Sequence, residues 1–176
     1  MTDEIMMDDL VTLTYEELLP PNTVRFAEAL VDGRILGQRC SSCGRVYVPP
    51  KGYCPLCVVL LGADDDVEVS DRGVVTGFTI VAPVRYYGQT KTEPFVYASV
   101  LLDGASGTLG GQDVTGVPTD EVRAGMRVRA VWKPTAERTT KGHSARGWGN
   151  VEGCISSFEA TGEPDVPHSE FEEHVI

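Results

Sequence analysis

Cys40-Ser41-Ser42-Cys43 and, ten residues on, Cys54-Pro55-Leu56-Cys57 carry the strongest chemical signal in this chain of 176 residues. The two-residue spacer inside each Cys-x-x-Cys pair lets both sulfurs face one ion. Four thiolates at this spacing form a closed tetrahedral set, which is structural because it leaves no open position for a substrate. Zinc is the ordinary occupant; iron fits the same sulfurs, and the sequence does not choose between them. Gly44 follows the first pair, where an open or left-handed backbone is favoured. The gap holds Tyr47-Val48-Pro49-Pro50-Lys51-Gly52-Tyr53, enough for a short hairpin. The competing reading is two disulfides, or four unrelated thiols, and it suits a secreted chain. Nothing else here looks secreted: the start, Met1-Thr2-Asp3-Glu4-Ile5, is acidic and unlike a signal peptide. With thiols kept for metal, the cytoplasm is the expected compartment.

The remaining reactive residue types make a poor catalytic set. Cys154 lies in an apolar stretch with no His or acid near it in sequence, and reads as a buried small hydrophobe. His168 and His174 sit in an acidic tail. His143 has no placed acid beside it, so it makes no general-base case. Residues 107–111 are glycine-rich but lack the strand-turn-helix setting of a nucleotide loop.

The cysteines need elements to position them. Pro20-Pro21 reads as a stop, with Asn22 or Thr23 capping a helix over 24–31 and Gly33 just beyond its end. Residues 34–39 then lead into the first cysteine pair as a strand. From Val67 onward the signal is β. Runs at 67–70, 73–82, 94–102, 108–114, 126–132 and 149–158 are bounded by Gly, Pro or Asp, and several alternate with the two-residue period of a half-buried strand. Residues 118–123 read as one short helical turn closed by Gly125. Short strands of this number, with one turn among the later ones, fit a small Greek-key barrel such as the OB-fold.

Charge sets further bounds. The net charge is −11, yet residues 1–21 and 159–176 hold six acids each and no Lys or Arg. All 15 basic residues therefore lie in 22–158, against 14 acids there. The acidic ends read as solvated tails or as arms that dock a partner, solvation being favoured. A near-neutral middle with acidic ends is a poor binder of a phosphate backbone. No run is long and apolar enough to span a membrane. The organisation expected is an acidic extension over 1–21, a helix and ribbon over 22–62, a barrel over 63–160 and an acidic tail over 161–176.

One ordered set of motifs is more specific than any of its parts. Gly33-Arg34-Ile35-Leu36-Gly37-Gln38-Arg39-Cys40-Ser41-Ser42-Cys43-Gly44-Arg45 is followed by a Cys-Pro-x-Cys pair and by Gly73-Val74-Val75-Thr76-Gly77-Phe78-Thr79-Ile80-Val81. Glu93-Pro94-Phe95-Val96-Tyr97-Ala98-Ser99-Val100 and Asp120-Glu121-Val122-Arg123-Ala124-Gly125-Met126 complete it. Over residues 22–160 this resembles the zinc-ribbon plus OB-fold family known as domain of unknown function thirty-five. The resemblance implies a mostly β fold: an N-terminal helix, a rubredoxin-like zinc ribbon, then a five-stranded OB-fold barrel. It also implies a non-catalytic subunit that partners a thiolase-fold enzyme acting on acyl-CoA thioesters, as thiolase, aldolase or synthase. Such a subunit braces its partner and helps form the CoA channel, and a two-plus-two assembly is the expected stoichiometry. The metal ligands would be Cys40, Cys43, Cys54 and Cys57.

The loop over 134–149 is longer than a barrel of this family needs and is the most basic stretch of the chain. Arg138, Lys141 and Arg146 suit the phosphates of CoA, Trp148 could stack on its adenine, and Lys91 is a further candidate. A solvated loop, or one meeting an acidic face of the partner, is the bland alternative. Tyr86, Tyr87 and Phe95 are candidate partner contacts. Two other classes compete with the scaffold reading: a single-stranded nucleic-acid-binding OB module, and a rubredoxin-like iron electron carrier.

Overall fold

A computed structural model of the chain describes residues 18–82, 92–140 and 151–175. Helix α1 (Pro21–Val31) begins earlier than expected, with Pro21 in its first turn. Pro20-Pro21 opens this helix because a proline there loses only an N–H that no helical carbonyl would have met. Asn22 is therefore not a cap; its side-chain amide donates to the carbonyl of Pro50 at 2.6 Å. The C-terminus is as expected. Gly33 (φ +82°) donates to the Leu30 carbonyl and Arg34 to that of Ala29, closing the helix in a left-handed turn.

Strands β1 (Ile35–Arg39), β2 (Val46–Tyr47) and β5 (Asp66–Val69) form one antiparallel sheet with β1 in the middle. Strands β3 (Tyr53–Cys54) and β4 (Val59–Leu60) make a separate two-stranded hairpin. The remaining five strands are β6 (Arg72–Val81), β7 (Phe95–Leu102), β8 (Thr108–Thr115), β9 (Arg127–Trp132) and β10 (Ile155–Ala160). They close a barrel in the order β10-β8-β7-β6-β9, sealed by the antiparallel pairing of β9 with β10. The β8–β10 pair is parallel and the others are antiparallel, which is the Greek-key connectivity of the OB-fold. The turn expected at 118–123 is a 3₁₀ turn over Thr119–Glu121.

Alternation fills the barrel. Val96, Ala98, Val100 and Leu102 of β7 are buried, while Tyr97, Ser99 and Leu101 between them are not. One apolar cluster runs from Phe26 and Leu30 of α1 through Ile35, Val46 and Val48 to Val75, Val128, Ile155 and Phe158 of the barrel. The helix and the inner half of the ribbon thus share the barrel's core.

The polar links follow the same geometry. Arg25 of α1 grips Asp66 of β5 with two hydrogen bonds of 2.6 and 3.2 Å. Gln38, fully buried in β1, satisfies its amide on the Gly62 carbonyl, the Asp66 carboxylate and the Gly52 N–H. A buried amide with every partner supplied fixes three chain segments at one point.

Residues 161–175 differ from a solvated tail. Phe171 is 2% exposed and sits over Gly125, and the Val166 N–H donates to the Gly125 carbonyl at 2.8 Å. Arg72 pairs with Glu163, Arg123 holds Asp165 with two bonds, and Arg129 pairs with Glu159 at the end of β10. Arg72, with Thr161 and Arg127, holds the Glu163 carboxyl below the usual glutamate range against the opposing effect of desolvation. Three of the six acids over 159–176, Glu159, Glu163 and Asp165, are thus counterions of arginines earlier in the chain. Among the described residues, no helix is long and apolar enough to cross a membrane.

Candidate metal centre

Two equivalent turns present the four sulfurs. In the first, the Gly44 N–H donates to the Cys40 carbonyl at 2.8 Å; in the second, Val58 donates to the Cys54 carbonyl at the same distance. Both turns need a left-handed residue after the second cysteine. Gly44 (φ +75°) supplies it without strain, and Val58 (φ 56°) is a β-branched residue held in that region. The spacing makes the glycine legible in sequence; the valine gives no such signal.

The sulfurs of Cys40, Cys43, Cys54 and Cys57 all lie within 4.8 Å of one another, and those of Cys43 and Cys54 are 3.8 Å apart. A tetrahedron with zinc–sulfur bonds of about 2.3 Å has sulfur–sulfur edges of about 3.8 Å. A disulfide needs about 2.05 Å, so this is the spacing of a shared ion and not of a bond between thiols. All five cysteines are free. Cys40 and Cys54 are fully buried, Cys57 is half-buried and Cys43 is exposed, so the centre lies at the ribbon's edge.

The surroundings favour thiolate. The Cys57 N–H donates to the Cys54 sulfur at 3.4 Å, and the Tyr47 hydroxyl lies 3.2 Å from the same atom. Burial pushes the Cys54 thiol up, yet the Tyr47 hydroxyl and the Cys57 amide, with Cys40 and Leu56, draw it down to about 6. Cys43 goes the other way. The Arg45 amide draws it down, but burial and the three neighbouring thiols push it up to about 11. Four sulfurs this close compete for protons until a divalent cation takes them all as thiolates. The small cluster around them, Tyr47, Leu61, Cys57 and Val59, is too slight to be a core of its own.

The other candidate residues fall in different places. Lys91, Lys141, Arg146, Trp148, Tyr86 and Tyr87 lie outside the described residues. Arg138 is half-buried at the root of the basic loop. Its guanidinium stacks on Trp132 at 5.2 Å and donates to the carbonyls of Lys133 (2.9 Å) and Val31 (3.4 Å). It therefore bridges the end of α1 to β9. Phe95 opens β7, opposite Val81. Cys154 is buried, its thiol donating to the Thr139 carbonyl at 3.6 Å, in keeping with its reading as a small hydrophobe.

Sequence reasoning missed two apolar surfaces. Tyr53, Leu56, Val58 and Leu60 are exposed on the β3–β4 hairpin, Leu60 at 89%. Phe78 and Ile80 stand opposite Ala98 and Val96 on β7, where β6 outruns the filled barrel, and remain 40% and 46% exposed. The alternation of β7 was visible in the sequence, but not that Phe78 and Ile80 of β6 would stay exposed.

Fold and site together define a zinc-ribbon protein whose four cysteines are placed to hold a metal ion, joined to an OB-fold barrel. Residues 27–58 match the family model for the ChsH2 rubredoxin-like zinc ribbon domain, and residues 66–133 that for the ChsH2 C-terminal OB-fold domain. A DUF35 domain-containing scaffold protein of Methanocaldococcus jannaschii is 32% identical over 105 residues, covering 58% of this chain and 70% of that protein. The chain belongs to the DUF35 family. Among solved structures, a DUF35-family protein of unknown function from Sulfolobus solfataricus is 26% identical with a TM-score of 0.51, covering 63% of this chain and 78% of that one. The Ltp2-ChsH2(DUF35) aldolase is 24% identical with a TM-score of 0.53, covering 68% of this chain and 90% of that one, a likeness of fold.

Proposed function

We propose that this chain is a non-catalytic scaffold subunit of a thiolase-type acyl-CoA enzyme, which supplies carbon–carbon bond cleavage or formation on a CoA thioester. The family membership carries the reading: one relative is named a scaffold protein, and a protein of the same fold is named with its partner as an aldolase. Zinc pins the ribbon, and the ribbon with the barrel braces the partner in a hetero-oligomer, two-plus-two in stoichiometry. The two exposed apolar surfaces support the idea, since patches of this kind mark sites of association. Phe95 shares a face of β7 with the exposed Tyr97, opposite Val81 and Thr79 of β6, while Phe78 and Ile80 stand on the other face; Tyr86 and Tyr87 belong to the adjoining loop in sequence. For CoA, Arg72, Arg123, Arg127 and Arg129 are engaged by carboxylates. In this reading Lys141, Arg146 and Lys91 meet the phosphates, Trp148 stacks on the adenine and Arg138 anchors the loop root.

The test is co-expression with a candidate thiolase-fold protein from the same genome, followed by light scattering and a CoA-thioester cleavage assay. The pair should elute as one hetero-oligomer whose activity needs both chains. Ile80→Asp should weaken the complex by about tenfold or more, the scale of a hot-spot residue. A candidate partner that works equally well alone and never co-elutes would sink the reading.

A further inference from the structure

Tyr47 is the buried aromatic of the metal centre, and its hydroxyl faces the sulfur of Cys54 at 3.2 Å. A metal-bound thiolate has no proton to give, so the phenol must be the donor in that contact. Lys51 places its ammonium 5.4 Å from the centre of the same ring, on the side of the chain between the two cysteine pairs. A cation against the ring draws electron density from the phenol and makes its O–H a stronger donor. Four thiolates around a divalent ion leave two negative charges in a partly buried place, and hydrogen bonds to sulfur are what disperses them. The backbone adds to these at Cys54 through the Cys57 amide, at a longer 3.4 Å, and the Leu56 amide.

We propose that Tyr47 is a positioning residue of the metal centre: its hydroxyl, polarised by Lys51, donates to the Cys54 thiolate and sets how tightly the chain retains a divalent thiophilic metal. The arrangement is not legible as a motif, because Tyr47 sits in β2 and Cys54 in β3, strands of different sheets.

The zinc-loaded full chain and its Tyr47→Phe variant are compared for zinc loss to a chelator, and their cobalt(II) forms for the sulfur-to-metal charge-transfer band. Phe keeps the buried ring and removes only the donor. Loss of zinc should become about tenfold easier, the usual scale for an outer-shell partner, and the cobalt band should move to lower energy as the sulfur becomes the better electron donor. Tyr53→Phe, on the exposed face of the next strand, should behave as the unaltered chain. A Tyr47→Phe protein matching the unaltered chain in both retention and band position overturns the proposal. Should that variant not fold, the cadmium-113 form of the unaltered chain decides: coupling between the Tyr47 hydroxyl proton and the metal supports the bond, and its absence overturns it.

Discussion

Val58 is the one non-glycine described with a left-handed backbone, at φ 56° and 87% exposed. A β-branched residue there costs about 1–2 kcal/mol, because its Cβ crowds the neighbouring carbonyl. No packing repays that strain, since the side chain faces solvent. Glycine removes it and gives back about 0.4–1 kcal/mol through a freer unfolded chain. Val58→Gly should therefore stabilise the zinc-loaded protein by roughly 0.5–1 kcal/mol, which raises Tm by about 1–4 °C. Thermal unfolding followed by circular dichroism checks this. A lower Tm would mean that Val58 packs within the zinc-loaded chain, against its exposure of 87%.

The segment after β10 shows which contacts matter at the scale of an element. Phe171 is almost wholly buried, while the Arg123–Asp165 pair is 55% and 36% exposed at its two side chains. Truncating a buried phenylalanine costs about 3–5 kcal/mol, whereas an exposed ion pair contributes about 0–1 kcal/mol. Phe171→Ala should lower the urea midpoint markedly and open residues 161–175 to protease; Arg123→Ala should do neither. Equal effects from the two would show that charge, not burial, seats the segment. The distinction was hidden in the sequence. Six acids without a Lys or Arg read as a solvated run, and counting charges does not reveal that arginines matching three of them lie 30 to 91 positions earlier, as with Arg129–Glu159 (30 apart), Arg123–Asp165 (42 apart) and Arg72–Glu163 (91 apart).

For the whole molecule, the two apolar clusters are unequal. The larger runs from α1 through β1 and β2 into the barrel, and the smaller holds the cysteines with Tyr47 and Leu61. Metal binding must therefore supply the folding energy of the ribbon's outer half. Cys54→Ser should lose the metal and melt the β3–β4 hairpin while the barrel persists. Zinc content by native mass spectrometry, with amide exchange across residues 40–61 and 95–132, separates the two regions. Full metal content in that variant would refute a structural role for the ion.

What the sequence determined by itself was local. Two Cys-x-x-Cys pairs fix their sulfurs through a two-residue spacer, Gly33 ends a helix through its own backbone freedom, and the alternation of β7 names its buried face without reference to any other strand. The tertiary structure alone decided what depends on distant neighbours. Gln38 is an unremarkable polar residue until Gly52, Gly62 and Asp66 surround it. Arg138 read as a loop cation, and it meets the Val31 carbonyl 107 positions away. Tyr47 read as a hairpin residue, and only the folding of β2 against the second cysteine pair brings its hydroxyl to sulfur. Burial and hydrogen bonding are properties of the neighbourhood, and a sequence states its neighbourhoods only where they are a few residues long.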